Sequence, residues 1–560
     1  MVLIAMMALA QVSVPEIEYR LRIDPLVGEA MQVHLQFEIE GDQDGETLLR
    51  LPSEWGGESE LWRGIADLRV EGGSLRPADP AIPDERRIDH TPGAGLVVRW
   101  QVIQDRDGSP HAAARDNYRP WLQADYLHLL GETILIRPEL DDPAIGDDTS
   151  VTFRFDAPEG FVLASDLDFG DLKMKELGPS VIVGGDFRVT TRWIDEAPLS
   201  IAVRGDIVDD QIAAAAGLAV RGNLDYWTAE AEPYLVTALP VEAEPGRSSF
   251  GGTNLGDAFA IFGTDNVPGD IVLRTLVHEH AHTWVPSRLG GMNQGPEQPG
   301  DYWFSEGFTD FVTTRAGLLA GAWDAEAAVA QWNEFLNEYM ANPEREAPNG
   351  AIRDGFWTSP ALNRLPYVRG NLFAALLDHR IRTESRGAQD LDDVLFAMHA
   401  DADRGPAADV LVEMVREVTG VDVSELHRRH IVEGKTIFLP ADTFGSCGAV
   451  YSGMEPVFVY GLTLVENPDG AGFLIEAVDP DGPAAPAGFE AGMIIEERLA
   501  GAFGDATRDS VFRVRDASGA ERVLSYRPTN GEEAMVQRIV PDDDALTSPE
   551  CLERLAGRAL

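Results

Sequence analysis

The segment His278-Glu279-His280-Ala281-His282 carries two histidines four positions apart, with a glutamate directly after the first. On a helix, His278 and His282 share one face, and this spacing lets two imidazoles bind one tetrahedral zinc ion. Glu279 then lies on the side of a zinc-bound water, whose lowered pKa lets a carboxylate take its proton. The segment therefore predicts two zinc ligands and a general base for peptide hydrolysis.

A motif of this form arises by chance in roughly two chains per hundred of this composition. The alternative is a helix whose three histidines are exposed or satisfied within a core. Its apolar residues argue for a buried helix, in which clustered imidazoles need partners; they are Ile271, Val272, Leu276 and Val277. His280 faces away from the other two histidines, so we expect it to support them from outside or to lie at the surface.

Glu306 is the best candidate for the third protein ligand that a catalytic zinc requires beside an open fourth position. It follows His282 by 24 positions, after a loop-like stretch, and has Trp303, Phe304 and Phe308 as neighbours. A carboxylate in aromatic surroundings needs a partner. Asp310, one turn later, is expected to accept the free N–H of an imidazole, most simply that of His278. An ordinary Asp on a helix surface is the alternative for this residue.

Residues 12–205 predict an N-terminal β-sandwich-like domain, because apolar and polar residues alternate in segments separated by Gly, Pro and Asp. Residues 206–440 predict a small mixed sheet followed by a helical lobe, in which Pro268-Gly269-Asp270 begins the helix with the histidines. Strands return in residues 441–560. The chain is thus expected to be multidomain α+β, in keeping with about three domains at ~150 residues each.

The chain of 560 residues has a formal charge of -49, so nucleic acid is an unfavourable partner. Residues 1–11 resemble a signal peptide without a positive start, and no other run is long and apolar enough to span a bilayer. Export to the periplasm or the medium makes a Cys447–Cys551 disulfide plausible, with two free thiols as the alternative. The sequence does not indicate the oligomeric state.

The chain resembles the glycyl-aminopeptidase-like group of gluzincin zinc metallopeptidases. The resemblance covers nearly the whole chain and rests on three motifs in family order: the HEHAHTW helix, the W-F-S-E-G-F-T-D-F segment and Leu-Pro-Tyr-Val-Arg-Gly at 365–370, which is expected to lead into a helix. It implies that residues 206–440 form a thermolysin-like catalytic domain that binds one catalytic Zn²⁺. It also implies that residues 441–560 form a PDZ-like domain with a C-terminal tail.

The resemblance assigns further roles. Tyr367 matches the family tyrosine that donates to the tetrahedral oxyanion, a sensible role for a phenol beside zinc, with Arg369 where lysine is usual. The alternative for Tyr367 is a structural tyrosine at a helix start. Related aminopeptidases hold the substrate amine with a glutamate on a Gly-rich strand. The corresponding segment here lacks a glutamate, although its backbone could pair with a substrate; it is Gly251, Gly252, Thr253 and Asn254.

The sequence therefore predicts a zinc metallopeptidase acting on peptides or proteins, most simply an aminopeptidase. The missing glutamate leaves open whether cleavage requires a free amino terminus, as in an enzyme of the aminopeptidase N type. A different class of function is a non-catalytic peptidase-like scaffold that binds peptides through the PDZ-like domain. That domain is equally compatible with peptide binding and with packing on the catalytic domain.

Overall fold

The computed structural model describes residues 17–558 apart from 26–27, 114–116, 141–145, 294 and 469. The expected signal peptide, residues 1–11, lies outside this range. The described chain is multidomain α+β and divides into two compact units. The first comprises the described residues up to Ala213 together with Ala231–Glu242 and Phe250–Asp265, and the second comprises Ala214–Glu230, Ala243–Ser249 and the described residues from Asn266 onwards.

The first unit is built almost entirely of strands. In chain order they are β1 Ile17–Asp24, β2 Gln32–Glu40, β3 Glu46–Arg50, β4 Glu54–Trp55, β5 Glu58–Ser59, β6 Ile65–Glu71, β7 Gly73–Leu75, β8 Glu85–His90, β9 Gly95–Val102, β10 Trp121–Leu122, β11 Tyr126–Leu130, β12 Arg137–Glu139, β13 Ser150–Asp156, β14 Leu163–Ser165, β15 Leu172–Lys173, β16 Val181–Gly185, β17 Arg188–Ile194, β18 Ala197–Val203, β19 Tyr234–Pro240, β20 Phe250–Asn254 and β21 Ala258–Gly263. Two single-turn helices, α1 Gly131–Ile134 and α2 Met174–Leu177, interrupt them.

The larger sheets of this unit have the strand orders β15-β13-β1-β2-β9-β6, β10-β11-β16-β14, β12-β3-β8-β7 and β17-β18-β19-β21-β20, and β4 pairs with β5. The alternation expected in β2 is present, because Val33, Leu35, Phe37 and Ile39 are buried while Glu38 and Glu40 are exposed. These side chains contribute to one apolar core together with residues of several other strands. Alternation thus places one face of the strand in the core.

The five-stranded sheet contains strands from both sides of residue 205, the predicted domain boundary. Strand β18 pairs in parallel with β19, and the helix α3 Asp209–Trp227 connects them. A parallel pair requires such a crossover. Strand β20 lies at the edge of this sheet and pairs antiparallel with β21.

The second unit contains the remaining helices, which form a helical lobe. They are α4 Gly269–Ala281, α5 Tyr302–Leu319, α6 Ala325–Ala341, α7 Asn349–Gly355, α8 Pro360–Ser385, α9 Leu391–Ala400, α10 Ala407–Thr419, α11 Ser424–His427 and α12 Pro549–Ala556. Helix α4 begins where the sequence predicts. Ile271, however, is exposed on it, whereas Val272, Leu276 and Val277 are buried as expected.

Helix α8 begins earlier than the sequence predicts. The segment 365–370 was expected to precede a helix, but it lies within α8, which begins at Pro360 after the capping residue Ser359. The Ser359 hydroxyl accepts a hydrogen bond from the Leu362 amide, 3.4 Å away. Pro366 lacks an N–H and therefore omits one backbone hydrogen bond of the helix without ending it. Tyr367 is consequently an interior residue of a long helix.

The C-terminal strands of the second unit form two sheets. The strands are β22 Gly448–Pro456, β23 Leu462–Glu466, β24 Phe473–Val478, β25 Ile494–Ala500, β26 Ser510–Arg515, β27 Glu521–Tyr526 and β28 Glu533–Pro541. Strands β23 to β27 form one antiparallel sheet in chain order, whereas β22 pairs with β28. The sheet of β23 to β27 has a small core of its own, which includes Ile475, Phe489 and Phe512.

The end of the chain packs on the helical lobe. Asn333 of α6 bonds both the amide and the carbonyl of Ile539 in β28, at 2.6 and 3.0 Å. Cys447, just before β22, is joined to Cys551 of α12 by a disulfide. Arg554 of α12 lies 3.5 Å from Asp378 of α8. In the sequence, strands β23 to β27 therefore lie between two segments that are linked to the lobe, one at Cys447 and one at β28 and α12.

Among the described residues, no helix combines the length and apolar character that a membrane crossing needs.

Candidate metal centre

Helix α4 positions both predicted histidine ligands, since His278 lies in its last turn and His282 is its C-cap residue. The rings of His278 and His282 lie 4.8 Å apart, centroid to centroid, as expected for residues one turn apart. Their side chains are only 12% and 13% exposed. Both imidazoles are therefore largely shielded from solvent.

Glu306 of α5 completes a three-residue cluster. Its Oε2 lies 3.4 Å from Nε2 of His278 and 3.4 Å from Nε2 of His282. One potential ligand atom from each residue lies within 4.8 Å of the others. Two imidazole nitrogens and one carboxylate oxygen are a donor set that suits zinc and leaves one tetrahedral position open.

Each imidazole is oriented by an acceptor at its other nitrogen. Asp310 Oδ1 lies 3.0 Å from Nδ1 of His278. The carbonyl oxygen of Val285 lies 2.8 Å from Nδ1 of His282, and the Thr309 hydroxyl lies 3.3 Å from the same nitrogen. A carboxylate and a carbonyl accept hydrogen bonds, so we assign the proton to Nδ1 in both rings. Both Nε2 lone pairs are then available to a cation.

The electrostatics of the cluster also suit a cation. Burial alone would raise the pKa of Glu306, but the two imidazoles outweigh it and hold the pKa well below its usual range. Burial would lower the pKa of His278, but Asp310 and Glu306 raise it to about 10. The cluster thus attracts positive charge, and a metal ion and protons compete for it.

Residues 272–351 match the model of a family described as M61 glycyl aminopeptidase. Over this segment the chain is similar to the glycyl aminopeptidases of that family. The matched segment begins in α4 and ends in α7, and it contains all three residues of the cluster.

Solved structures are similar to this chain at low sequence identity, and the first of the two described here shares its fold. An aminopeptidase N family protein from Idiomarina loihiensis is 15% identical with a TM-score of 0.65, over 95% of this chain and 99% of that one. An M1 zinc metallopeptidase from Deinococcus radiodurans is 17% identical with a TM-score of 0.47, over 75% of this chain and 94% of that one. The comparison with curated proteins finds no match.

Glu279 and Tyr367 lie beside the cluster. Burial raises the pKa of the Glu279 carboxyl, while both histidines of the cluster lower it. The Tyr367 ring lies 6.1 Å from the His278 ring at an angle of 24°. Burial, followed by the carboxylates of Glu306 and Glu279, raises the pKa of Tyr367 well above its usual value. The phenol therefore keeps its proton and remains a hydrogen-bond donor.

Arg369, for which the resemblance implies a lysine, is fully buried. Its guanidinium donates to the carbonyl oxygens of Arg345 and Ala347, at 2.8 and 2.7 Å. These bonds tie α8 to the chain before α7. The side chain thus has a structural task in this position.

His280 was expected either to support the ligands from outside or to lie at the surface; it is buried, so the surface alternative is wrong. Its ring lies 5.6 Å from that of Trp284. Burial lowers its pKa to about 3. A neutral, buried imidazole packed on an indole is a core residue of the lobe.

The predicted substrate-binding segment lies in strand β20 of the first unit and comprises Gly251, Gly252, Thr253 and Asn254. The carbonyl oxygen of Gly252 accepts a hydrogen bond of 3.0 Å from the Tyr118 hydroxyl. A Cβ at Gly252 would collide with the carbonyl oxygen of Ala260, so this glycine is required by close strand packing. The role of the segment in substrate binding stays a prediction.

Two groups of the site were missed by the sequence reasoning. Thr309 lies between Glu306 and Asp310 and donates to the Val285 carbonyl at 3.2 Å. Its position within the W-F-S-E-G-F-T-D-F segment was a usable signal. The Val285 carbonyl carries no signal in the sequence, because any residue supplies the same group.

Proposed function

We propose that the chain hydrolyses peptide bonds as a zinc-dependent peptidase, with His278, His282 and Glu306 as the ligands of one zinc ion. One observation carries the proposal: the three ligand atoms converge within 4.8 Å, and each imidazole has an acceptor at its far nitrogen. The M61 glycyl aminopeptidase match supports an aminopeptidase. A bound zinc ion would polarise the scissile carbonyl and make a water molecule nucleophilic at neutral pH.

The residues of the chain supply the proton transfers. Glu279 accepts a proton from the water molecule while the oxygen of that water attacks the carbonyl carbon. Burial raises the pKa of this carboxyl, which makes it a stronger base than an exposed glutamate. When the C–N bond breaks, the Glu279 carboxyl returns the proton to the leaving nitrogen, so that an amine and a carboxylic acid are released.

Tyr367 stabilises the negative charge that develops on the carbonyl oxygen. Its phenol keeps its proton because burial raises its pKa, and a donor aimed at developing charge stabilises the transition state more than the substrate. The backbone of Gly251 to Asn254 would pair with the extended substrate in the manner of an added strand. Without a glutamate in that segment, recognition of the free amine requires another group.

The decisive experiment compares Glu279→Gln with the wild type on a mixed peptide library. Glu279→Gln should retain zinc and lose hydrolysis by at least ~100-fold, because general base catalysis contributes 10²–10⁴-fold. Glu334→Gln is the matched control, since Glu334 is exposed and pairs with Arg274 of the same helix as the histidines. Unchanged turnover in Glu279→Gln overturns the mechanism. Bound but uncleaved peptides in the wild type support the scaffold function instead.

Aminopeptidase action is tested with peptides whose amino terminus is free or acetylated. Mass spectrometry of the products should show release of the first residue from free peptides and little cleavage of acetylated ones. Internal cleavage of both sets would show an endopeptidase.

We also propose that the chain is periplasmic or secreted, because the Cys447–Cys551 disulfide suits an oxidising compartment. Cleavage of residues 1–11 on export is the corresponding prediction, and N-terminal sequencing of the exported protein tests it. We further propose that the chain is divided into domains 12–205, 206–440 and 441–560, and that the last of these is PDZ-like. Titration with peptides that have free or amidated carboxyl ends tests the PDZ-like domain.

A further inference from the structure

Arg364 lies three residues before Tyr367 on α8, so the two side chains are neighbours on the helix surface. The Arg364 guanidinium carbon lies 4.9 Å from the centroid of the Tyr367 ring. A guanidinium at this distance attracts the negative face of an aromatic ring. The ring that neighbours His278 therefore also has a cation as its neighbour.

The guanidinium is itself held in place. Its Nε and Nη2 donate to the two carboxylate oxygens of Glu338 on α6, at 2.7 and 3.0 Å. Such a bidentate pair fixes the plane of the guanidinium. Both side chains are partly exposed, so the pair by itself contributes little to stability. The consequence of the pair is that it fixes the position of the Arg364 guanidinium.

One backbone hydrogen bond of α8 is missing directly before Tyr367. Pro366 precedes it inside α8 and lacks the N–H that would bond to the preceding turn. The helical backbone still allows Tyr367 more than one rotamer, so contacts of the ring decide its direction. The described contacts of the ring are with His278 and Arg364.

We infer that Arg364, fixed by Glu338, is a positioning residue that holds the Tyr367 phenol in the orientation from which it donates to the oxyanion. The inference rests on the proposed function. Arg364 acts through Tyr367, so its effect must depend on the Tyr367 hydroxyl. An ion pair that merely joins α6 to α8 would act independently of that hydroxyl.

A double-mutant cycle separates these two roles. Tyr367→Phe should lower kcat about 100-fold, as loss of an oxyanion donor does. Arg364→Leu should lower kcat about tenfold with KM changed less than about threefold, and Arg364→Lys should recover part of the loss. In the Tyr367→Phe background, Arg364→Leu should have less than about a twofold effect on kcat. A second tenfold loss in the double variant would overturn the inference.

Arg380→Leu is the matched control, because Arg380 lies on the same helix and forms an exposed ion pair with Glu384. It should leave kcat unchanged. Zinc content and the thermal midpoint of each variant are measured together with the kinetics. A loss of zinc in Arg364→Leu equal to its loss of activity would overturn the inference, since the phenol holds no metal.

A second measurement does not need activity. With 3-fluorotyrosine at position 367, the fluorine resonance of the otherwise unchanged protein should be single and narrow. Arg364→Leu should broaden or split it, whereas Arg380→Leu should not. An unchanged resonance in Arg364→Leu overturns the inference. If the wild-type chain cleaves no peptide, the proposed function fails, and the resonance alone decides whether Arg364 orients the ring.

Discussion

Asp310 Oδ1 lies 3.0 Å from Nδ1 of His278, on the side of the ring opposite the nitrogen that faces Glu306. Helix α5 thus supplies both a predicted ligand and the acceptor that orients another, from positions one turn apart. A carboxylate in this place fixes the tautomer of the imidazole and raises its basicity. The two sequence motifs therefore depend on each other physically.

Asp310→Asn should weaken zinc binding about 10- to 100-fold, because an amide orients the imidazole less strongly than a carboxylate. Competition with a chromophoric chelator measures this affinity. Asp354→Asn is the control, since Asp354 is an exposed carboxylate of the same lobe that pairs with its neighbour Arg353. Equal zinc affinity in Asp310→Asn and wild type would exclude the orienting role.

Gly370→Ala should separate α5 from α8. A Cβ at Gly370 would collide with the carbonyl oxygen of Trp303, and one at Gly307 would collide with Gly370. Helix α5 carries Glu306 and α8 carries Tyr367, so we expect lower zinc affinity, at least tenfold lower kcat and a loss of about 1–3 kcal/mol in the free energy of unfolding. Metal titration, kinetics and urea unfolding measure the three effects.

Gly350→Ala is the control for this substitution. Gly350 is also helical, but a Cβ there meets no atom within 4 Å. Alanine should stabilise this position by up to about 1 kcal/mol. If Gly370→Ala behaved in the same way, the close approach of α5 and α8 would not position the site.

Local patterns predicted the parts of the molecule whose determinants are local. The alternation in β2 and the apolar face of α4 follow from neighbouring residues. The start of α8 was missed because the segment 365–370 was expected to precede the helix, whereas α8 begins at Pro360 and continues through Pro366. The motif thus identified Tyr367 as a candidate residue but did not show that it lies inside a helix.

Long-range pairings were beyond the sequence reasoning. Strand β22 pairs with β28, although strands β23 to β27 lie between them in the sequence. Likewise β18 pairs with β19, although α3 lies between them in the sequence. Such partners are chosen by complementary faces that no local pattern records. The same holds for the Val285 carbonyl at the metal centre, since a main-chain group is available from every residue.

Replacing Cys447 and Cys551 by serine should destabilise the helical lobe. The disulfide joins residues 104 positions apart, and closing a loop of this length stabilises by about 5 kcal/mol in chain-entropy models. Since α12 packs on the lobe, the thermal midpoint measured by calorimetry should fall. Reductant should lower the midpoint of the wild type to that of the double variant and leave the double variant unchanged. A wild type insensitive to complete reduction would contradict this account.

Asp166→Asn should change how the stability of the first unit depends on pH. Burial raises the pKa of Asp166 to about 8, although its carboxylate accepts a 2.8 Å bond from the Val181 amide. Between its unfolded pKa of about 4 and pH 8, the folded chain retains a proton that the unfolded chain has lost. The contribution of Asp166 to the free energy of unfolding is therefore greatest below about pH 4 and is lost as the pH rises towards 8.

The free energy of unfolding of the wild type should fall relative to Asp166→Asn by up to about 1.4 kcal/mol per pH unit between pH 5 and 7. Urea unfolding at three pH values gives this slope. Asp168→Asn should keep the wild-type slope, because Asp168 is exposed. Parallel pH profiles for Asp166→Asn and the wild type would mean that Asp166 is ionised in the folded chain, and its 2.8 Å bond from Val181 would then be charge-assisted.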